Sequence, residues 1–161
     1  MQIARIEPMA DELVKVRWMI RGDCEAVAKI SKHSLLHRKP LSMREAQIAL
    51  KQKTVVGAVA EIADDVPQIV GYAFLSTSND DLCELLIMAV DHKWHRVGIG
   101  TMLLEHCERM ARHIGYSQFN CIVHERELDA QLFLRSHGWH CRHIIKNFVG
   151  DDSGLYFYKG A

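Results

Sequence analysis

The sequence has no excess of charge of either sign: lysine plus arginine number 20, and so do aspartate plus glutamate. It therefore lacks the net basic field that drives non-specific nucleic-acid binding, and no nucleic-acid partner is expected. Long apolar runs are missing too. The longest, residues 54–62 and 85–90, fall well short of the ~20 residues that a bilayer-crossing helix needs, so no membrane partner is expected. Residues 1–7 hold a lone Arg5 and no apolar stretch of the secretory kind, which leaves cytoplasmic residence as the default expectation. No Cys-x-x-Cys pair occurs among Cys24, Cys83, Cys107, Cys121 and Cys141. An odd, widely spread set fits reduced thiols acting as small core residues better than a disulfide framework. Repeats, low-complexity tracts and linkers are absent as well.

What remains is ordinary globular material. Apolar residues make up 48% of the chain and charged ones 25%, far from the composition of disorder. Its 161 residues suit one domain spanning 1–161, with residues 1–13 as a weakly patterned N-terminal extension. Residues 14–20 read as a strand, and Gly22-Asp23 as a turn with an N-cap aspartate before a helix. Ser42-Met43-Arg44-Glu45 is a capping box that opens a second helix. Residues 54–63 and 68–76 are β-branched and apolar on either side of a turn, the pattern of an antiparallel hairpin.

Residues 84–90 are nearly all apolar, as in a central strand buried on both faces. From Ile99 the positions Leu103, Cys107, Met110 and Ile114 keep one helical face, while Glu105 with Arg109 and Glu108 with Arg112 form i,i+4 pairs on another. Gly115 closes this helix. Residues 118–123 read as a strand, 129–137 as a short helix closed by Gly138, and 139–148 and 154–158 as two final strands.

Between the central strand and the strong helix lies Asp91-His92-Lys93-Trp94-His95-Arg96-Val97-Gly98-Ile99-Gly100-Thr101. Glycines at the start of a helix let backbone approach a ligand closely, and the first-turn amides offer the positive end of the helix dipole to a phosphate or pyrophosphate. A Walker loop needs a Lys after its last glycine, and a dinucleotide fingerprint needs a third glycine where this chain has Leu103, so neither fits.

His95-Arg96-Val97-Gly98-Ile99-Gly100 resembles the loop of the GNAT superfamily of N-acetyltransferases: Arg or Gln, two residues, Gly, one residue, then Gly or Ala. Leu86-Ile87-Met88-Ala89-Val90 looks like the family's fourth strand, and Phe133-Leu134-Arg135-Ser136-His137-Gly138-Trp139 like its closing segment. The pattern is nearest to the branch that acetylates a ribosomal-protein alanine. The resemblance implies an α/β (α+β) domain with a mixed, mostly antiparallel sheet of about six to seven strands, a parallel central pair and about four flanking helices. It implies acetyl-CoA as acyl donor, with no metal. Met88, Ala89 and Val90 would hold the pantetheine arm, and His95, Arg96, Val97, Gly98, Ile99, Gly100 and Thr101 the pyrophosphate. The partner is an amine acceptor, a protein N-terminus, a lysine or a small amine, taken up by a monomer or a homodimer.

Acetylating an amine requires removal of a proton from an ammonium. Glu84 opens the central strand, and alternation puts it on the face of Leu86, Met88 and Val90. It matches the catalytic glutamate of the superfamily's histone acetyltransferases; the other reading is a solvated strand-end carboxylate. Departures accompany the resemblance. Leu134 stands where many members have a proton-donating tyrosine, Glu127 where an asparagine often bonds pantetheine, and Ile122 where the alanine acetyltransferases place a glutamate. Tyr156 and Tyr158 are strand aromatics within possible reach, and His95 and Arg96 read either as pyrophosphate ligands or as surface-loop residues. His137, His140, Cys141 and His143 match no zinc spacing, and alternation sets His140 and His143 on opposite faces. The departures also keep open a non-catalytic acyl-CoA-binding or regulatory domain.

Overall fold

Alternating β-branched runs and turn residues give seven strands, and these join in one sheet. The computed structural model describes residues 13–35 and 38–160, so residues 1–12 of the expected N-terminal extension lie outside the described part. The strands are β1 Val14–Trp18, β2 Val55–Ile62, β3 Gln68–Ser76, β4 Cys83–Val90, β5 Phe119–His124, β6 His140–Val149 and β7 Asp152–Lys159. Their order is β1-β2-β3-β4-β5-β7-β6, antiparallel throughout except for the parallel pair β4 and β5. Four α-helices occur among the described residues: α1 Cys24–Ser34, α2 Met43–Lys51, α3 Ile99–His113 and α4 Leu128–Ser136. None is long and apolar enough to cross a membrane. The mixed α/β architecture is the one expected.

The two faces of the sheet bury separate cores. Val27 and Ile30 of α1 and Ala46 of α2 pack with Val59, Tyr72, Phe74 and Ala89 on one face. Ile99, Leu103, Leu104 and Cys107 of α3, with Leu134 of α4, pack with Ala73, Leu85, Cys121 and Phe157 on the other. The capping box forms: Ser42 Oγ accepts from Glu45 N–H at 3.1 Å, and Glu45 Oε2 accepts from Ser42 N–H at 2.8 Å. The Ser42 amide and Lys39 hold the Glu45 carboxyl down at about 2. Asp23 does not cap α1. It sits in a short 3₁₀ turn, accepts from Ile20 N–H at 2.8 Å and pairs in bidentate fashion with Arg17, which also meets Glu61 at 2.8 Å. Two carboxylates around one guanidinium make that ion pair a better use of Asp23 than a helix amide.

Two strands depart from simple alternation. In β4, Leu85 opposes Leu75 and Ile87 opposes Phe74, so Leu86 is an extra, bulged residue. In β6, Cys141 opposes Phe157 and His143 opposes Tyr156, so Arg142 is extra. The second bulge corrects the expectation for His140 and His143, which come to share a face because their partners Tyr158 and Tyr156 do.

The buried stripe of α3 also differs from the expected one. Leu104, Glu108 and Ala111 are buried, whereas Met110 is half-buried and Ile114 is exposed. Glu108 is the reason. Its Oε1 accepts from Trp139 Nε1 at 2.9 Å and its Oε2 from Lys159 Nζ at 2.8 Å, while the expected partner Arg112 stands at 3.6 Å. This carboxylate is 8% exposed and pins α3 to the start of β6 and the end of β7. No Glu105–Arg109 ion pair is found among the described residues. Truncating Glu108 would leave Trp139 and Lys159 without their acceptor. Glu108→Ala is expected to lower stability by about 3 kcal/mol in urea denaturation, and Glu108→Gln by less; a loss under about 0.5 kcal/mol would refute the pin.

Four of the five cysteines are buried and all are free thiols. Burial raises Cys107 and Cys121 from 9.0 to about 12 and Cys83 to about 11. These thiols stay protonated in the folded state at a pH where the unfolded chain has already lost those protons. Stability should therefore fall as pH rises from about 9 towards 11, the unfolded state being the one that binds fewer protons there. At pH 8 the folded protein should offer Ellman's reagent one accessible thiol, the half-buried Cys141, and all five after unfolding. Fast labelling of several thiols in the folded protein would contradict the buried placement.

Candidate active site

Hydrogen bonding between β4 and β5 is brief. They pair at Cys83 with Phe119 and at Glu84 with Asn120, and then pairing stops although both strands continue. A slot of about 80 Å³ opens between them, lined from both sheet faces: Leu86, Ile122 and Arg38 from the α1 side, Met88, Phe133 and Leu134 from the α3 side. Asp91 N–H bonds the Val70 carbonyl at 2.7 Å on the β3 side of β4. Antiparallel alternation then turns Ala89 and Ile87 to β3 and the peptide groups of Met88 and Val90 towards the slot. The Val90 carbonyl is taken by Ser34 Oγ at 3.1 Å and His95 Nε2 at 2.7 Å. The Ala89 side chain is buried under α1.

The glycine loop follows directly. Asp91 accepts from Lys93 N–H at 3.0 Å and starts a 3₁₀ turn, after which Arg96 (φ 61°) and Gly98 (φ 91°) both take left-handed backbone. The left-handed N-cap at Gly98 suits a residue without Cβ. No side chain caps α3, and its first backbone bond runs from Met102 N–H to the Gly98 carbonyl, so the amides of Ile99, Gly100 and Thr101 precede the helical ladder. A Cβ on Gly100 would meet Phe133 Cε2 at 3.4 Å, which sets the loop close against α4. His137 fastens the same junction: Nδ1 donates to the Phe133 carbonyl at 2.7 Å, and Nε2 accepts from Thr101 Oγ1 at 3.1 Å. Val97 packs on the α3-side core, Ile99 is buried, and His95 and Arg96 are exposed.

Glu84 corrects the expected alternation. Leu85, Met88 and Val90 pack with the α3-side core, while Leu86, Ile87 and Ala89 pack with the α1-side core. Glu84, one step from Leu85, lies with Leu86 on the α1 side, opposite to Met88 and Val90, because the bulge reverses the alternation. Half-buried, it has Ser76 and Asn120 as cross-strand neighbours. Asn120 is 7% exposed, and its Oδ1 has no donor among the described residues.

Arg38 and Phe148 escaped the sequence reading. Arg38 donates NH1 to the Leu86 carbonyl at 3.2 Å, and Phe148 brings its ring to 6.0 Å from the Arg38 guanidinium. Glu127 lines the slot at the start of α4 with Oε1 buried and unpartnered among the described residues. Gly154 makes room for Phe148 beside Ile122: a Cβ there would lie 2.8 Å from Phe148 Cγ and 2.7 Å from Ile122 Cγ2. Leu134 is core, 3% exposed. Tyr156 stacks on His143 at 4.3 Å, and Tyr158 lies under Arg142 at 3.5 Å. No cluster of metal-ligating side chains occurs among the described residues. A larger groove of about 630 Å³ lies between α1, the start of β3 and residues 91–93; Glu84, Gly98 and Gly100 line neither it nor the slot.

A family model described as an acetyltransferase (GNAT) domain matches residues 52–141. No curated protein matches the sequence significantly. Among solved structures, the ribosomal-protein-S18-alanine N-acetyltransferase of Escherichia coli superposes with a TM-score of 0.78 at 18% identity, over 92% of this chain and 94% of that one. Ard1 of Thermoplasma volcanium gives 0.81 at 16% identity, over 92% and 98%. The PaiA N-acetyltransferase of Thermoplasma acidophilum, solved with coenzyme A, gives 0.77 at 16%, over 92% and 99%. At such identities the likeness is one of fold.

The Gly154 contact is open to test. Gly154→Ala should cost about 1–3 kcal/mol by forcing Phe148 and Ile122 aside, and adding Phe148→Ala should recover part of that in urea denaturation. Strictly additive losses would mean that residues 148 and 154 do not touch.

Proposed function

Because the chain belongs to the GNAT acetyltransferase family, we propose that it is an acetyl-CoA-dependent N-acetyltransferase that moves an acetyl group to a primary amine by direct attack. The observation that carries this reading is the slot between β4 and β5, whose lining residue Phe133 meets Gly100 at the uncapped start of α3. The donor fits these residues on three counts: free first-turn amides, a Gly100 whose missing Cβ lets the loop sit against Phe133, and the unpartnered Glu127 Oε1 in the slot. When bound, acetyl-CoA supplies the acyl group as a thioester.

The amides of Ile99, Gly100 and Thr101 receive the pyrophosphate, aided by the helix dipole and the exposed Arg96. His95, tied by Nε2 to the Val90 carbonyl, orients that edge, and in the protonated ring its other nitrogen donates to phosphate. The Met88 and Val90 peptide groups extend the slot edge for the pantetheine arm, and Met88 N–H polarises the thioester oxygen. Glu127 Oε1 accepts an amide N–H of the arm, the task for which an asparagine is more usual. Glu84 takes the proton from the acceptor ammonium. Its place on the α1 side supports entry of the acceptor from the face opposite to the α3 core. Leu134 cannot return a proton, and the thiolate departs with ordinary thiol acidity, at roughly 8.5. A protein N-terminus, a lysine and a small amine all satisfy this chemistry.

Glu84→Gln should keep coenzyme A affinity in calorimetry while kcat on a responsive amine falls by roughly 10²-fold or more and the pH–rate profile loses its acidic limb. An unchanged profile would remove Glu84 from the mechanism. Tight coenzyme binding with no transfer to any amine of a broad panel would instead favour a non-catalytic coenzyme-binding domain.

A further inference from the structure

Arg17, Arg112 and Arg126 each have a carboxylate within 4 Å, but Arg38 has none among the described residues. It is half-buried at the slot, with the Leu86 carbonyl as its hydrogen-bond partner and the Phe148 ring beside it. Most of its fork of N–H donors is thereby left open. Its neighbours Leu35, Leu86 and Ile122 are apolar, so an anion reaching the guanidinium meets it where water screens the charge weakly. Burial pushes the Cys121 thiol on the opposite wall up, and Glu84 and Arg38 act on it with opposite sign. Along β4, Glu84 and the Leu86 carbonyl that anchors Arg38 are two residues apart, about 6–7 Å.

One anionic and one cationic group anchored two residues apart on one strand make a dipolar receptor. Resting on the N-acetyltransferase reading of the same slot, we propose that the acceptor amine carries a carboxylate within a few bonds of its nitrogen, and that Arg38 selects it. The carboxylate takes a forked pair of hydrogen bonds from Arg38, and the ammonium faces Glu84. Glu84 receives one ammonium proton; the nitrogen–acyl carbon bond forms, the carbon–sulfur bond breaks, and the sulfur keeps the electron pair. The second surplus nitrogen proton neutralises the thiolate. The acceptor is a free amino acid or a peptide that begins with an acidic residue, and the two are separable by experiment.

Calorimetry on the protein loaded with coenzyme A reads this preference without any turnover. The probes are L-amino acids against the matching amino-acid amides, and peptides beginning with Asp or Glu against Asn or Gln. The acids of at least one series should bind roughly tenfold tighter or more than their neutral partners, the size of one charge-assisted hydrogen-bond pair. Arg38→Ala should bring that ratio to about one and Arg38→Lys should restore part of it, with urea denaturation showing both variants folded. Equal binding of acid and amide in both series, or a ratio that survives Arg38→Ala, overturns the proposal. Selective acid binding with no acetyl transfer upholds the carboxylate site and refutes the N-acetyltransferase reading.

Discussion

Everything proposed for this molecule depends on two parallel strands ceasing to pair. β4 and β5 share registered residues only at Cys83 with Phe119 and Glu84 with Asn120, and their facing backbone edges then lack a strand partner. Unpaired peptide groups inside a protein are costly unless something meets them. Here Ser34 and His95 meet the Val90 carbonyl and Arg38 meets the Leu86 carbonyl, while the Met88 peptide group has no neighbouring strand to pair with. A sheet with an unfilled gap at its centre is prepared to take an extended ligand as a strand-like insert, as peptide-binding sheets do at their edges.

Such a gap must be braced, or the two halves of the sheet would close or shear. Each half has its own brace. On the N-terminal side, Arg17, Asp23 and Glu61 lock β1, the 3₁₀ turn and β2 together, with α1 and α2 packed over β3 and β4. On the C-terminal side, Glu108 reaches from α3 to Trp139 and Lys159 and so ties the helix behind the glycine loop to β6 and β7. The Thr101–His137 bond and the Gly100–Phe133 contact fasten the start of that helix to α4. The loop proposed to offer its amides to a ligand thus sits on a braced junction, as a preorganised anion site requires.

Much of this frame was legible because it rests on local chemistry. The capping box at Ser42, the glycine at the start of α3, the closing Gly115 and the helical stripe through Leu103 and Cys107 declare themselves within a few residues. What stayed hidden depends on partners distant in sequence. Glu108 looks like half of a surface ion pair until Trp139, 31 residues on, supplies a buried donor. Arg38 and Phe148 meet only because α1's exit and β6 arrive at the same slot, and neither has a local signature. Bulges are the hardest to read. Leu86 belongs to a continuous apolar run in which either face is acceptable to every side chain, so no hydrophobic pattern betrays the extra residue.

That bulge also has the largest consequence for the chemistry. In an unbroken strand Glu84, Leu86, Met88 and Val90 would share a face, and the carboxylate would point into the core beneath α3. One inserted residue keeps Met88 and Val90 on the α3 side and sets Glu84 and Leu86 on the α1 side. In the proposed reaction a coenzyme lying along the slot and an amine arriving from the α1 side would then both be served by this strand. On the proposed reading, the eight-residue strand offers peptide groups to the donor at one end and, at the other, a base that the bulge keeps out of the core beneath α3. The bulge at Leu86 separates these duties, and its carbonyl, turned to Arg38, becomes the anchor of the third.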